Sequence, residues 1–283
     1  MSNERWPLGV FASVDAGFGV KLDVAAALGV PTIHLHAPAN LADPVQAAQD
    51  YSEKTAHLGI RPTLVFTEFG DESYESIPIV KETVGLVPEA TREKRVEILK
   101  RTVVFANELG VNAVGLHVGF VPHDTEDPTY AVIVETLQEA CDYAKTHQTS
   151  IHLETGQEPA DVLLAFLKAV DRANLFINFD PANMILYGCG EPLPALEKLA
   201  PYVRSVHCKD ATWSDQPEET WGAEVPLGEG DVGMREYLQT LKKIGYEGPL
   251  TIEREISQEP ARQEAEIGAA LGLLTKLKKE LLS

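Results

Sequence analysis

Positive charge is scarce in this chain. Across 283 residues, 24 lysines and arginines stand against 43 aspartates and glutamates, a formal net charge of -19. Such a surface repels phosphate backbones and anionic lipid, so neither nucleic acid nor a membrane is an expected partner. Cysteine is nearly absent. Cys141, Cys189 and Cys208 cannot all pair, and none sits in a CxxC spacing. That argues against a disulfide scaffold and for a reducing compartment. No partner base stands beside them, which argues against a thiol nucleophile. Long apolar runs are missing too. The opening MSNERWPLGV has no apolar signal core, and no run elsewhere is long enough to span a bilayer. A cytoplasmic location is the expectation. A dinucleotide fingerprint is also lacking: Asp15-Ala16-Gly17-Phe18-Gly19 has neither the later glycine nor the helix-opening spacing. Finally, no linker, low-complexity tract or charge block interrupts the chain, so residues 1–283 read as one domain.

What is present is alternation. The chain is 44% hydrophobic, enough for a sizeable core. Short apolar or β-branched runs recur at 8–14, 32–35, 62–67, 113–118, 150–154, 175–179, 203–208 and 249–253. Helix-like segments lie between them at 22–28, 45–58, 92–109, 130–146, 160–169, 193–199 and 234–244. Three helix ends share one phrase: Leu28-Gly29-Val30-Pro31, Leu58-Gly59-Ile60-Arg61 and Leu109-Gly110-Val111-Asn112. Each reads as helix end, tight turn and next strand. Strand–helix alternation gives a parallel sheet. Eight units predict an α/β fold, a single-domain (β/α)8 TIM barrel, with a doubly wound sheet as the rival. Two gaps, 69–93 and 209–233, are longer than the rest. Both are expected to wall a pocket at the rim formed by the strand C-termini.

The late runs end in a repeated way: His152-Leu153-Glu154, Asn178-Phe179-Asp180, His207 and Glu253. Residues two apart on a strand share a face, so these polar groups take interior parity while Leu153, Phe179, Cys208 and Ile252 face the helices. Buried carboxylates are costly unless paired or bound to metal. Four such residues at consecutive strand ends converge on the rim where barrel enzymes keep their chemistry. Taken singly, each is as well explained by a salt bridge; taken together, they favour one metal site. Three carboxylates and one imidazole suit one divalent metal ion, Mn²⁺ or Mg²⁺ best, with Co²⁺, Fe²⁺ or Zn²⁺ as alternatives.

These residues also carry a resemblance. His152-Leu153-Glu154, Phe179-Asp180-Pro181-Ala182-Asn183, Val206-His207-Cys208-Lys209-Asp210, Leu227-Gly228-Glu229-Gly230 and the stretch from Gly245 to Glu253 resemble the xylose-isomerase-like TIM barrels. Within that superfamily the chain is similar to the sugar phosphate isomerase/epimerase family, which includes ketose 3-epimerases, hydroxypyruvate isomerases and inosose-processing enzymes. The resemblance implies a metal-dependent isomerase or epimerase of a small sugar or polyol ketone. Glu154 and Glu253 would both bind the metal and move the proton. Return of the proton on the other face gives epimerisation, and return at the neighbouring carbon gives isomerisation. One departure stands out. Many relatives carry Asp-x-x-His where this chain has Asp180 and Asn183. Asparagine hydrogen-bonds but cannot act as a general base. The alternatives are a lyase of the inosose dehydratase type on the same metal site and a non-catalytic sugar-binding barrel. A phosphodiesterase of the endonuclease-IV type would need three metals and more histidines. A homo-oligomer is compatible with everything here.

Expected substrate contacts are His117, His36, Asn183, Lys209, Gln157 and Glu68. His117 ends the fourth run with interior parity, and a satisfied core histidine is the competing reading. His36 is nearer the rim than His34, which is expected to be hydrogen-bonded inside. An ion pair of Lys209 with Asp210 or Glu229 competes with a role at the pocket mouth. Glu158, beside Pro159, reads as a helix start. Arg254 should face the helices or a neighbouring chain, and Glu255 the interior. Trp213 and Trp221 cover either a sugar face or a loop core, and Gly228-Glu229-Gly230 reads as a turn.

Overall fold

The first strand, β1 (Leu8–Ser13), is paired in parallel on two sides, to β2 (Thr32–His36) and to β8 (Leu250–Ile252). The pairing with β8 closes the sheet. Between them run β3 (Arg61–Phe66), β4 (Ala113–Leu116), β5 (Ser150–Glu154), β6 (Leu175–Phe179) and β7 (Val203–Cys208), each beside its sequence neighbour. All eight strands are parallel, so the expected (β/α)8 barrel is the fold and the doubly wound sheet is not. The computed structural model describes residues 5–14 and 19–283, so residues 15–18 of the Asp15–Gly19 phrase lie outside the described residues.

The helices are α1 (Leu22–Ala27), α2 (Pro44–Leu58), α3 (Ile77–Thr83), α4 (Glu89–Glu108) and α5 (Pro128–Thr146). After these come α6 (Ala160–Val170), α7 (Pro181–Tyr187), α8 (Pro192–Leu199), α9 (Met234–Lys243) and α10 (Pro260–Leu282). Several begin on a capping residue followed by proline. Asp43, Asp127 and Asp180 each accept a backbone N–H from the first turn, and the next residue is Pro44, Pro128 or Pro181. Proline lacks the N–H that would be orphaned there, and its fixed φ suits the first helical position. The shared helix-end glycines behave as read: Gly59 and Gly110 take φ of 69° and 78°, where a side chain would be strained.

Three helices, α3, α7 and α10, were not read from the sequence. Helices α3 and α7 have 7 residues each, too short to show a period. Helix α10 does show one: Ile267, Ala270, Leu274 and Leu277 fall at helical spacing and are its buried face. The second long gap holds a two-stranded antiparallel ribbon, Asp210–Thr212 with Ala223–Val225. Among the described residues no helix is long and apolar enough to cross a membrane.

The barrel interior has two characters. One side is apolar, a cluster of Phe11, Leu64, Phe66 and Ala113 from β1, β3 and β4. Gly115 makes room for it, because a Cβ there would meet the Phe66 ring at 2.9 Å. The other side, from β2 and β5 to β7, is polar and hydrogen-bonded. His152 lies between Ser150 (3.0 Å) and Ser205 (2.8 Å), and burial lowers its pKa to about 3. A neutral imidazole bridging two hydroxyls is a satisfied core group.

Candidate metal centre and cleft

Register brings the four strand-end residues together. Glu154 pairs with Asn178 across β5–β6, and His207 with Thr251 across β7–β8. Asp180 and Glu253 each follow the last residue of their strand. One ligand atom from each of Glu154, Asp180, His207 and Glu253 lies within 4.8 Å of the others. His207 Nδ1 is the hub, 3.0 Å from Glu154 Oε1, 2.9 Å from Glu253 Oε2 and 3.7 Å from Asp180 Oδ2.

Each side chain is held from behind. Asn178 donates to Glu154 Oε2 at 2.5 Å. Asp180 spends Oδ1 on capping α7, accepting from Ala182 N at 2.8 Å and Asn183 N at 3.0 Å. The His207 ring lies between Phe11 and Phe66, with centroids 5.6 and 5.4 Å away, and its Nε2 is 3.0 Å from His34 Nδ1. Asp180 Oδ2 and Glu253 Oε2 are buried and receive no well-directed hydrogen bond among the described residues, because the nearby His207 Nδ1 is shared among three carboxylates. Two orphaned carboxylate oxygens beside an imidazole nitrogen are the donor set a divalent cation takes up, so the cluster could hold one.

The electrostatics are those of a buried acidic cluster. Burial pushes Asp180 up to about 7. Burial also works to neutralise His207 and Lys209, but the carboxylates around each outweigh it and hold both well above their ordinary ranges. Lys209 lies 3.2 Å from Glu255, 3.6 Å from Glu253 and 3.8 Å from Glu224. Its expected partners Asp210 and Glu229 are not the ones it uses. Asp210 instead accepts from the backbone of Gly228 and Val232 and ties the Gly228-Glu229-Gly230 turn.

Above the cluster opens a cleft of about 470 Å³. Glu154, His207 and Glu253 line its floor, and His36, Glu68, His117 and Glu255 line its sides. His36 Nε2 is 3.1 Å from Glu68 Oε2. His117 is held neutral by burial, its pKa lowered to about 4, and its Nδ1 has no partner among the described residues. The first long loop supplies one wall, from Phe69, Gly70, Glu72, Ser73 and Tyr74. Arg95 of α4 clamps that wall by donating to Asp71 Oδ1 at 2.7 and 3.0 Å and to Gly85 O at 2.6 Å.

Other expected contacts stand behind the cleft rather than in it. Asn183 reaches toward Glu154 Oε1 at 3.5 Å and accepts from Lys209 at 3.4 Å. Gln157 donates to the Tyr187 hydroxyl at 3.4 Å. Glu158 turns inward to accept from Val121 N at 2.9 Å, and α6 is left without a side-chain cap. The 209–233 segment does not wall the cleft as expected. Its ribbon sends Glu224 to Lys209 and Arg254, and Trp221 packs on Tyr187 with centroids 4.6 Å apart. Arg254 faces α10 through Glu266 at 2.8 Å, as its parity implied. The cysteines are free and buried, and burial pushes Cys141 up to about 12, which makes it a poor nucleophile.

The sequence reading missed Glu72, Tyr74, Phe11 and Phe66. Tyr74 sets its ring 6.0 Å from that of His117. The signal for the first two was the length of the 69–93 gap. For Phe66 it was Gly115, the small residue facing it.

Comparison with known proteins agrees with this fold. A solved xylose isomerase domain protein from Planctomyces limnophilus is 51% identical, covers 98% of this chain and 99% of its own, and superposes with a TM-score of 0.96. A xylose isomerase-like TIM barrel protein from Mycobacterium smegmatis, solved in complex with magnesium, is 20% identical over 98% of this chain and 99% of its own, with a TM-score of 0.69. The L-ribulose-5-phosphate 3-epimerase UlaE of Salmonella paratyphi A is 26% identical over 192 residues, 64% of each chain, so the match spans under two thirds of that relative. The family model described as xylose isomerase-like TIM barrel matches residues 22–277, and the chain belongs to that family.

Proposed function

We propose that this chain is a divalent-metal-dependent isomerase or epimerase of a small sugar or polyol ketone. Glu154, Asp180, His207 and Glu253 hold the ion, and Glu154 and Glu253 move the proton. The observation that carries the reading is the convergence of four ligand atoms within 4.8 Å at the floor of a cleft, two of them orphaned carboxylate oxygens. Likeness to an L-ribulose-5-phosphate 3-epimerase points to the same class of chemistry. Mn²⁺ or Mg²⁺ fits the oxygen-rich set, and a magnesium-bound relative of the same fold is consistent with it. The three buried thiols suit a reducing cytoplasm.

A bound divalent ion supplies Lewis-acid polarisation of a ketose carbonyl and charge stabilisation of the enediolate that follows deprotonation. The protein supplies the rest. Glu154 and Glu253 approach the His207 hub from different strands, β5 and the end of β8, so they can flank one substrate carbon. One carboxylate takes the proton and the opposite one returns it on the other face. Asn178, paired to Glu154, fixes the direction of that carboxylate. Lys209 performs the same task for Glu253 and balances part of its charge. Asn183 bridges Glu154 to Lys209, so it aligns groups and moves no proton. His117, neutral and with a free ring nitrogen, and the His36–Glu68 pair orient substrate hydroxyls.

The test is proton exchange. Protein loaded with Mn²⁺ is incubated with a panel of ketoses in D₂O, and deuterium at the carbon next to the carbonyl is read by NMR. Turnover with deuterium entry, lost on chelation and restored by Mn²⁺, is the expected result. A product that has lost water and gained unsaturation would instead make the protein a lyase. Tight sugar binding without turnover would make it a binding barrel.

A further inference from the structure

We infer that the cleft selects an uncharged polyol ketone and discriminates against its phosphate ester. The inference rests on the proposed metal-dependent proton transfer and specifies the substrate for it. Beyond the ligand set, the cleft is lined by the carboxylates of Glu68 and Glu255 and by Glu72, whose carboxyl burial pushes up to about 7, and no lysine or arginine is among its lining residues. Two cations behind the cleft are already used. Lys209 faces three carboxylates between 3.2 and 3.8 Å, and Arg95 is held by Asp71 and Gly85. Of the lining histidines outside the ligand set, His36 is engaged with Glu68 and burial keeps His117 neutral. Residues 1–4 and 15–18 read Met-Ser-Asn-Glu and Asp-Ala-Gly-Phe, with no lysine or arginine side chain. A dication among Glu154, Asp180 and Glu253 still leaves three negative groups against two positive charges.

Hydrogen-bond chemistry points the same way as charge. A carboxylate accepts and has nothing to donate, so it matches the hydroxyl donors of a polyol. A phosphate ester is also acceptor-only. Phosphate sites are built from arginine forks, lysines or free backbone N–H groups. The helix N-terminus at the cluster, that of α7, is already filled by Asp180. The Gly85 N–H behind the wall is taken by Glu72 at 2.7 Å. The apolar surface facing these carboxylates comes from Phe11, Phe66 and Phe69, which suits the C–H face of a sugar.

The experiment compares matched pairs on the Mn²⁺-loaded protein: L-ribulose with L-ribulose 5-phosphate, D-fructose with D-fructose 6-phosphate, and D-tagatose with D-tagatose 6-phosphate. Affinity is measured by calorimetric titration and proton exchange by NMR. In at least one pair the free sugar should bind, and its ester should be weaker by about tenfold or more, the scale expected of like charges brought together. Glu255→Lys, at a side chain 56% exposed, should narrow that gap with the fold intact. Glu72→Gln, which keeps the bond from Gly85 N, should narrow it less. An ester that binds as tightly as its parent, or three pairs in which no free sugar binds, overturns the inference. Deuterium entry into an ester while the free sugar stays inert overturns it too and leaves the proton-transfer reading standing. Preferential binding of free sugars without any proton exchange leaves the charge selection standing and sinks the proton transfer.

Discussion

His34 Nδ1 lies 3.0 Å from His207 Nε2, both rings buried inside the barrel. A metal-binding His207 must offer a lone pair on Nδ1, so its ring proton must sit on Nε2. His34 Nδ1 is placed to accept that proton in a hydrogen bond. Burial and the nearby His207 hold the His34 pKa well below the usual range, so it stays a neutral acceptor. Partners of this kind orient a ligating histidine and typically contribute about 10–100-fold in metal affinity. His34→Ala is therefore expected to weaken Mn²⁺ binding by about that factor. Calorimetric titration with Mn²⁺ checks it, and an unchanged affinity would remove His34 from the site.

Glu154→Gln and Glu253→Gln separate coordination from base chemistry. The amide keeps a carbonyl oxygen for the ion but accepts no proton at neutral pH. Each variant should lose about 10²–10⁴ in the rate of deuterium exchange while retaining measurable Mn²⁺ binding. Exchange at the wild-type rate in either variant would reduce that residue to a ligand. If wild type turns over with no solvent deuterium entering carbon, shielded proton return must be excluded by a substrate isotope effect. A hydride-shift isomerase is then the better reading.

The clamp on the cleft wall is a second target. Arg95 is 1% exposed, and its removal leaves Gly85 O without that donor and Asp71 with Lys94 as its remaining charge partner. Gly85 itself admits no side chain: it has φ of 77°, and a Cβ there would collide with the backbone of Val118 and Gly119. Arg95→Ala should cost about 1–3 kcal/mol in urea denaturation, the scale of stranded buried hydrogen-bond partners. It should also raise KM more than it lowers kcat, because the wall from Phe69 to Tyr74 lines the cleft and includes none of the groups proposed to move the proton. An equal loss in kcat would place the wall in the reaction itself.

Glu158 gives a pH signature. Burial pushes its carboxyl up to about 8 from an ordinary 4.5. The folded state therefore keeps a proton that the unfolded chain releases. That contribution to stability is complete below about pH 4.5 and is lost as pH rises to about 8. Glu158→Gln keeps an acceptor for Val121 N and cannot ionise. Urea midpoints from pH 5 to 8.5 should show wild type falling relative to this variant and levelling near 8. A constant difference across that range would mean that Glu158 is already ionised in the folded protein.

Much of this protein was legible in one dimension. Strand period is two, so a carboxylate at the end of an apolar run declares its face without any tertiary information. That is why Glu154, Asp180, His207 and Glu253 could be named together, and why Arg254 and Glu255 could be sent to opposite sides. Asp-Pro pairs at 43–44, 127–128 and 180–181 cap the starts of α2, α5 and α7 by an equally local rule, although the short α7 was not read from it. What the three-dimensional structure decided was partnership. Lys209 could be seen to point inward, but its choice of Glu253, Glu255 and Glu224 over adjacent Asp210 depends on closure of the β7–β8 edge and the folding of the ribbon. Glu158 looked like a helix-opening acid, and only the packing of the segment after β4 gave it Val121 N to turn toward. Glu72 and Tyr74 lie in a loop with no period to read, and the clamp from Arg95, more than twenty residues away, sets where they stand. Backbone periodicity is a local property, whereas the neighbour that satisfies a buried charge comes from elsewhere in the chain, brought near when the barrel closes.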